Sequence, residues 1–164
     1  MGIRIRAIAV AGSLMGATAT GGQTPEADCG VGPAAAVTID GFRARTGLLT
    51  VYLWSDSPTA FLEHGRSLRR IELPVPSRGP ARICLRAPSA GRYAVSVRHD
   101  VDGNRARYDL DDGAGFSRNP RLSLTRTRPA LATVLVVIGE GAVPVGVVMN
   151  YRFGLSVRPV AGWR

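Results

Sequence analysis

Pro88-Ser89-Ala90-Gly91-Arg92-Tyr93-Ala94-Val95-Ser96-Val97-Arg98 opens with turn-forming residues and continues in strict alternation. Tyr93, Val95 and Val97 fall on one parity and Ala94, Ser96 and Arg98 on the other, which is the period-2 pattern of a half-buried strand. His99 leaves that strand on the core-side parity. The polar run His99-Asp100-Val101-Asp102-Gly103-Asn104 follows, and then Gly113-Ala114-Gly115-Phe116-Ser117-Arg118-Asn119-Pro120. The strand is scaffold, and the two segments after it hold nearly all the residues able to do chemistry.

The same alternation recurs outward in both directions. Val37 and Ile39 alternate with Thr38 and Asp40, and Leu49, Val51 and Leu53 alternate with Thr50, Tyr52 and Trp54. Gly47 lies in the short connection, so these two strands are expected to pair as a hairpin. Residues 70–75 and 81–86 read as the next strands. Pro74 and Pro76 remove amide donors, which puts the first of them at a sheet edge. Residues 131–138 and 145–153 are two further apolar strands, while 121–127 has only some strand character. Ser57, Pro58 and Gly65 suit the N-cap, the first position and the end of a single short helix, with His64 near its free carbonyls. About seven short strands with Gly/Pro turns and one helical turn predict an all-β chain folded as an antiparallel β-sandwich with a long polar loop.

The 164 residues suffice for one domain with its own core and a processed N-terminus. Met1-Gly2-Ile3-Arg4-Ile5-Arg6 is a basic lead, and residues 7–19 are apolar, too short to span a bilayer and closed by Ala17-Thr18-Ala19. That is the pattern of a secretory signal peptide cut after Ala19. The expected division is a signal peptide at 1–19, an extended tail at 20–35, the β-domain at 36–158 and a short tail at 159–164. A periplasmic or secreted product follows, with no stable membrane insertion once the signal is removed. The two cysteines of such a protein most simply form one disulfide, Cys29 to Cys84. Cys84 shares parity with Arg82 and Arg86, opposite Ile83 and Leu85, so the bridge should staple the tail across the outer face of its strand.

A formal charge of +9 invites a nucleic-acid reading. All 21 basic residues are arginine, however, and they are dispersed, with a local knot only at Arg66-Ser67-Leu68-Arg69-Arg70. No aromatic platforms interleave with them as single-strand binders require, so no nucleic-acid partner is expected. Outside the cytoplasm such charge favours anionic lipid headgroups or acidic glycans.

The connection from Asp100 to about Pro129 is long for a compact domain, and such loops are usually functional or disordered. Asp100, Asp102 and Asn104 stand at the first, third and fifth positions of a calcium-type loop, and Asp111 falls at the twelfth. These four are the candidate metal ligands and calcium the candidate cofactor. Arg105 stands where an EF-hand needs glycine, and the entry is a strand; turn formation by Asp, Asn and Gly is the competing reading. His99 beside Asp100 also suggests a general base, with Ser117 as the nearby nucleophile. Gly115-Phe116-Ser117-Arg118-Asn119 is not a nucleophile elbow, and two histidines in the chain exclude a His-rich zinc site. His99 is therefore expected to donate to a loop carbonyl or an Asp and fix the loop to the strand end.

Together these segments resemble a bacterial family of small exported domains, domain-of-unknown-function family 2141. The resemblance covers about residues 36–153. It rests on Leu49-Thr50-Val51, Pro88-x-x-Gly91-x-Tyr93-Ala94-Val95, His99-Asp100-x-Asp102-Gly103-Asn104 and Gly115-Phe116-Ser117-x-Asn119. Members continue the acidic loop with another Gly and a longer Gly/Pro-rich insertion, where this chain has Arg105-Ala106-Arg107-Tyr108. The Pro-to-Val turn recurs in immunoglobulin- and transthyretin-like domains, so the sandwich is expected to be of that kind. The resemblance implies a fold and a compartment and carries no mechanism. The leading expectation is a non-catalytic module that binds an envelope ligand or protein through His99, Asp100, Asp102, Asn104, Phe116, Ser117 and Asn119. The alternatives are an envelope hydrolase-type enzyme using His99 and Asp100, and a structural accessory domain held by calcium.

Overall fold

Val95 and Val97 are buried on one face of a ten-residue strand, and that strand lies inside the larger of the sheets. The structure, a computed structural model, describes residues 29–106 and 109–162. Its strands are β1 (Ala34–Asp40), β2 (Leu48–Ser55), β3 (Arg69–Pro74), β4 (Ala81–Arg86), β5 (Gly91–Asp100), β6 (Gly113–Phe116), β7 (Leu135–Ile138), β8 (Ala142–Val148), β9 (Tyr151–Phe153) and β10 (Ser156–Arg158). One sheet has the order β4-β1-β8. In the second, β3, β2 and β5 lie side by side, and the far edge of β5 is shared by two strands. Gly91 to Ala94 pair with β7, and Ser96 to His99 pair with β6. A two-stranded ribbon of β9 and β10 completes the set. The pairings are antiparallel except that of β1 with β8, which is parallel and corrects the wholly antiparallel expectation.

Alternation decides which side chains meet. Val37 and Ile39 of β1, Leu49, Val51 and Leu53 of β2, Val95 and Val97 of β5, and Val145 and Val147 of β8 pack into one core to which both larger sheets contribute. Each such aliphatic side chain contributes about 2 kcal/mol when fully buried. The opposite face of the larger sheet has a second core of Trp54, Phe61, Ala94, Phe116, Leu122, Val134 and Leu135. Trp54 keeps its polar end satisfied there, its Nε1 donating to Ser96 Oγ at 2.8 Å.

Several expectations are corrected. β1 and β2 do not form a hairpin but belong to different sheets. Gly47 has φ 77° and passes so close to β5 that a Cβ would lie 1.9 Å from the Asp100 carbonyl oxygen, so the connection crosses to the end of β5. No helix follows Ser57; residues 58–65 form successive turns, and Leu62 at φ 60° breaks the helical path while Phe61 turns into the second core. Among the described residues the helical element is a 3-10 turn at Leu131–Thr133, at the start of a segment read as strand throughout. The long insertion is divided by β6. Residues 121–127 supply only a turn closed by Ser123 and Arg126. The apolar run 145–153 breaks at Met149 and Asn150, where Met149 N donates to Asp40 O and Asn150 exchanges two hydrogen bonds with Ala114 of β6.

Cys29 and Cys84 are bridged, with Cα atoms 5.4 Å apart and 55 positions between them in sequence. A closure of that length stabilises by about 4 kcal/mol in the chain-entropy account. Leu85 and Ile83 turn toward the core, Cys84 has the opposite parity, and Arg86 Nη1 donates to the Cys29 carbonyl at 2.6 Å. The expected signal peptide at 1–19 lies outside the described residues. Among the described residues no helix is long and apolar enough to cross a membrane.

Candidate functional site

The end of β5 places His99 with no solvent exposure between two polar partners. Its Nε2 lies 2.8 Å from the Thr46 carbonyl oxygen and its Nδ1 lies 2.6 Å from the Tyr151 hydroxyl. A carbonyl oxygen can only accept, so Nε2 carries the proton, and Nδ1 then accepts from the Tyr151 O–H. Burial holds the His99 imidazole below its ordinary range, against the opposing effect of the Thr46 bond, and burial pushes the Tyr151 phenol up to about 12. Both groups are neutral at physiological pH and both are used up by each other. The Phe42 ring meets the imidazole edge-on at 5.8 Å, and the Arg43 guanidinium lies 5.3 Å from the centre of the Tyr151 ring.

Gly113 stands opposite His99 in the β5–β6 pairing. A Cβ there would come within 2.3 Å of Tyr151 Cε1, so the glycine makes room for the ring that satisfies His99. His99 does meet a loop carbonyl, but that of Thr46 in the β1–β2 connection and not one in the acidic loop that follows it. Tyr151, Thr46 and Gly113 were not singled out from the sequence. Tyr151 could have been found: it lies on the core parity of its strand, and a buried phenol needs a polar partner, as does a histidine on the core parity of another strand.

The loop between β5 and β6 is held by its own side chains. Asp100 is 3% exposed; its Oδ1 accepts from Gly103 N at 2.9 Å and its Oδ2 from Arg105 N at 2.8 Å. Asp102 accepts from both Asn104 N and Asn104 Nδ2. Asn104 also donates to Asp109 Oδ2 at 3.0 Å, and Ala106 N donates to Asn104 Oδ1. The Asp111 amide and the Asn104 side chain hold Asp109 below the usual carboxylate range. Three arginines then tie the loop to the body. Arg98 chelates Asp112 through Nε at 2.9 Å and Nη2 at 2.6 Å and also reaches the Ala106 carbonyl. Arg43 donates to the Asp111 carbonyl and carboxylate, and Arg105 pairs with Glu72 of β3 at 2.9 Å.

Asp100, Asp102 and Asn104 are thus neighbours in one turn, while the Asp111 carboxylate pairs with Arg43 and its amide reaches Asn104 only through Asp109. Among the described residues no three acidic, histidine or cysteine side chains group to hold a metal ion. Phe116 and Ser117 lie at the other end of β6, both buried. The Ser117 hydroxyl accepts from Val95 N at 3.0 Å and donates to the Val134 carbonyl at 2.5 Å, clamping the place where β7 takes over from β6. Ser117 sits opposite Val95, four positions along β5 from His99, which is about 13 Å. Asn119 is exposed and caps β8, its Oδ1 accepting from Val148 N and its Nδ2 donating to the Gly146 carbonyl.

Between the loop and the β9–β10 ribbon runs an open groove of about 410 Å³. Leu110, Ala114, Leu122, Leu124 and Val157 form its apolar surface, and Asp109, Asp112, Thr127, Asn150 and Arg152 its polar surface. Leu110 is 68% exposed in its wall.

A family model described as "Uncharacterized protein conserved in bacteria (DUF2141)" matches residues 37–145. The chain belongs to this family. No curated protein and no solved structure matches it. The DUF2141 match runs from β1 into β8 and contains His99, the whole acidic loop, Ser117 and Asn119. Tyr151, the hydrogen-bond donor to His99, lies beyond its end.

Proposed function

We propose that this chain is a non-catalytic, exported binding module of the cell envelope, built on an immunoglobulin/transthyretin-like sandwich, that takes its ligand or partner in the groove beside the loop following His99. The observation carrying this reading is that the described residues of the loop are held by the chain's own hydrogen bonds and ion pairs. Its carboxylates serve its own backbone, and three arginines fasten it, so the wall formed by Asp109, Leu110 and Asp112 is pre-organised. An apolar wall with polar groups converging beside it is the make-up of a small-ligand site. Two sheets sharing one core support the sandwich reading, and the disulfide supports the compartment.

Weighing against the hydrolase alternative, His99 already accepts from Tyr151 and Ser117 is engaged by backbone. The test is a chemical-shift titration of the ¹⁵N-labelled chain with a panel of amphiphiles, oligosaccharides and short peptides. Shifts at Leu110, Ala114 and Leu124 that vanish in Leu110→Arg support the proposal. Shifts confined to other surfaces, or turnover of a chromogenic ester that is lost in Ser117→Ala, contradict it.

A further inference from the structure

Two tight turns that border the groove repeat one arrangement. Ser123 and Arg126 exchange backbone hydrogen bonds at 3.2 and 3.0 Å, leaving Leu124 and Thr125 at the tip. In the β9–β10 ribbon Phe153 pairs with Ser156, leaving Gly154 and Leu155 at the tip. Leu155 is 89% exposed and Leu124 38%. Each leucine has arginines on its shoulders: Arg121 and Arg126 for the first, Arg152 and Arg158 for the second. Strand alternation puts Arg152 and Arg158 on opposite faces of the ribbon, so the Leu155 tip is flanked on both sides. Arg158 lies over the Phe153 ring at 4.4 Å and Arg152 Nε donates to the Gly154 carbonyl at 3.0 Å, which steadies both shoulders. Among the described residues none of these four arginines has a carboxylate at ion-pair distance, a property shared with Arg45, Arg66, Arg69, Arg78, Arg82, Arg86 and Arg118; what sets the four apart is their place on the shoulders of exposed leucines.

We infer that these two turns form a peripheral docking surface for an anionic lipid bilayer. The leucines enter the boundary between headgroups and acyl chains, and the guanidinium groups take the lipid phosphates in two-pronged hydrogen bonds. A lone exposed leucine has no such meaning. Two of them, on hydrogen-bonded turns beside one groove and flanked by cations without carboxylate partners, match the amphipathic chemistry of a membrane surface. Nothing spans the bilayer in this arrangement; the contact is reversible. Leu124 and Arg152 also line the groove, while Leu155 and Arg158 do not, and the vesicle assay below uses no groove ligand.

Co-sedimentation with vesicles tests it. The chain should bind phosphatidylcholine vesicles containing phosphatidylglycerol, should ignore pure phosphatidylcholine, and should be released by salt. Arg152→Gln with Arg158→Gln should weaken binding about 30-fold, from about fivefold per arginine at such a surface. Leu124→Ser with Leu155→Ser should weaken it by about tenfold or more. Arg78→Gln with Arg82→Gln removes the same net charge elsewhere and should change binding by no more than about twofold. Thermal melts check that each variant is folded, and Leu155→Ser alone serves if the pair is not. The inference is overturned if phosphatidylglycerol vesicles do not retain the chain, if the leucine variants bind as well as the parent, or if the Arg78/Arg82 pair matters as much as Arg152/Arg158.

Discussion

Replacing Tyr151 with Phe removes one oxygen and leaves everything else about the lock in place. The ring still fills the space over Gly113, so no cavity opens, and the effect isolates the hydrogen bond at 2.6 Å. Nδ1 of His99 then becomes a buried acceptor without a donor, and moving the proton to Nδ1 would only strand the Nε2–Thr46 contact instead. An unsatisfied buried polar group costs about 1–3 kcal/mol. For a domain of this size that is a fall in Tm of about 4–12 °C. Urea and thermal melts at neutral pH give the number directly, with an unchanged m-value confirming that the native and unfolded states are otherwise alike. The same substitution made in a His99→Leu background should cost clearly less, because the phenol has by then lost its imidazole partner and keeps only the Arg43 backbone contact. A loss below about 0.5 kcal/mol, or an equal loss in both backgrounds, would refute the lock.

Three further outcomes follow from the same geometry. Because burial lowers the native His99 pKa, the unfolded chain takes up its proton first as pH falls. Stability is then full above about 6.5 and declines below it by up to about 1.4 kcal/mol per pH unit until the native value is passed, and His99→Asn should flatten that slope in urea melts. Gly113→Ala should cost about 2–3 kcal/mol by forcing a methyl group onto the Tyr151 ring, while Gly139→Ala, which meets nothing within 4 Å, should change stability by less than about 0.5 kcal/mol. Millimolar calcium and a chelator should give the same melting midpoint, since Asp100 already accepts from two backbone amides; a rise with calcium would restore the metal reading.

Local pattern made part of this legible and packing decided the rest. Tyr93, Val95 and Val97 alternate so strictly that β5 and the inward parity of His99 follow from the sequence, and the parity of Cys84 likewise put the disulfide on the outer face of β4. Tyr151 is 52 positions from His99, and only the closing of one sheet against the other brings them together. β6 was invisible for a related reason. Gly113 and Gly115 carry no side chain to signal a strand, and they are needed because Tyr151 and Val147 occupy the space where a Cβ would stand. The parallel β1–β8 pairing joins the two ends of the domain, which no short-range period encodes. At Ser57 the capping residues pointed to a helix, and the burial of Phe61 against Trp54, with ring centres 6.1 Å apart, overrode them. In the acidic loop the spacing of oxygens suited a cation equally well on paper. At Asp100 and Asp102 backbone amides supply hydrogen-bond partners, as the turn-forming reading expects.

The most direct measurement of the site is a ¹⁵N-detected histidine spectrum of the folded chain at neutral pH, which reports the protonation of each ring nitrogen separately. His99 should appear as the neutral tautomer with the proton on Nε2 and a bare Nδ1, and should take up a second proton only at a pH below that of a free imidazole. A doubly protonated ring near neutrality, or a proton on Nδ1, would contradict a histidine locked between Thr46 and Tyr151 and would return it to the candidates for acid–base chemistry.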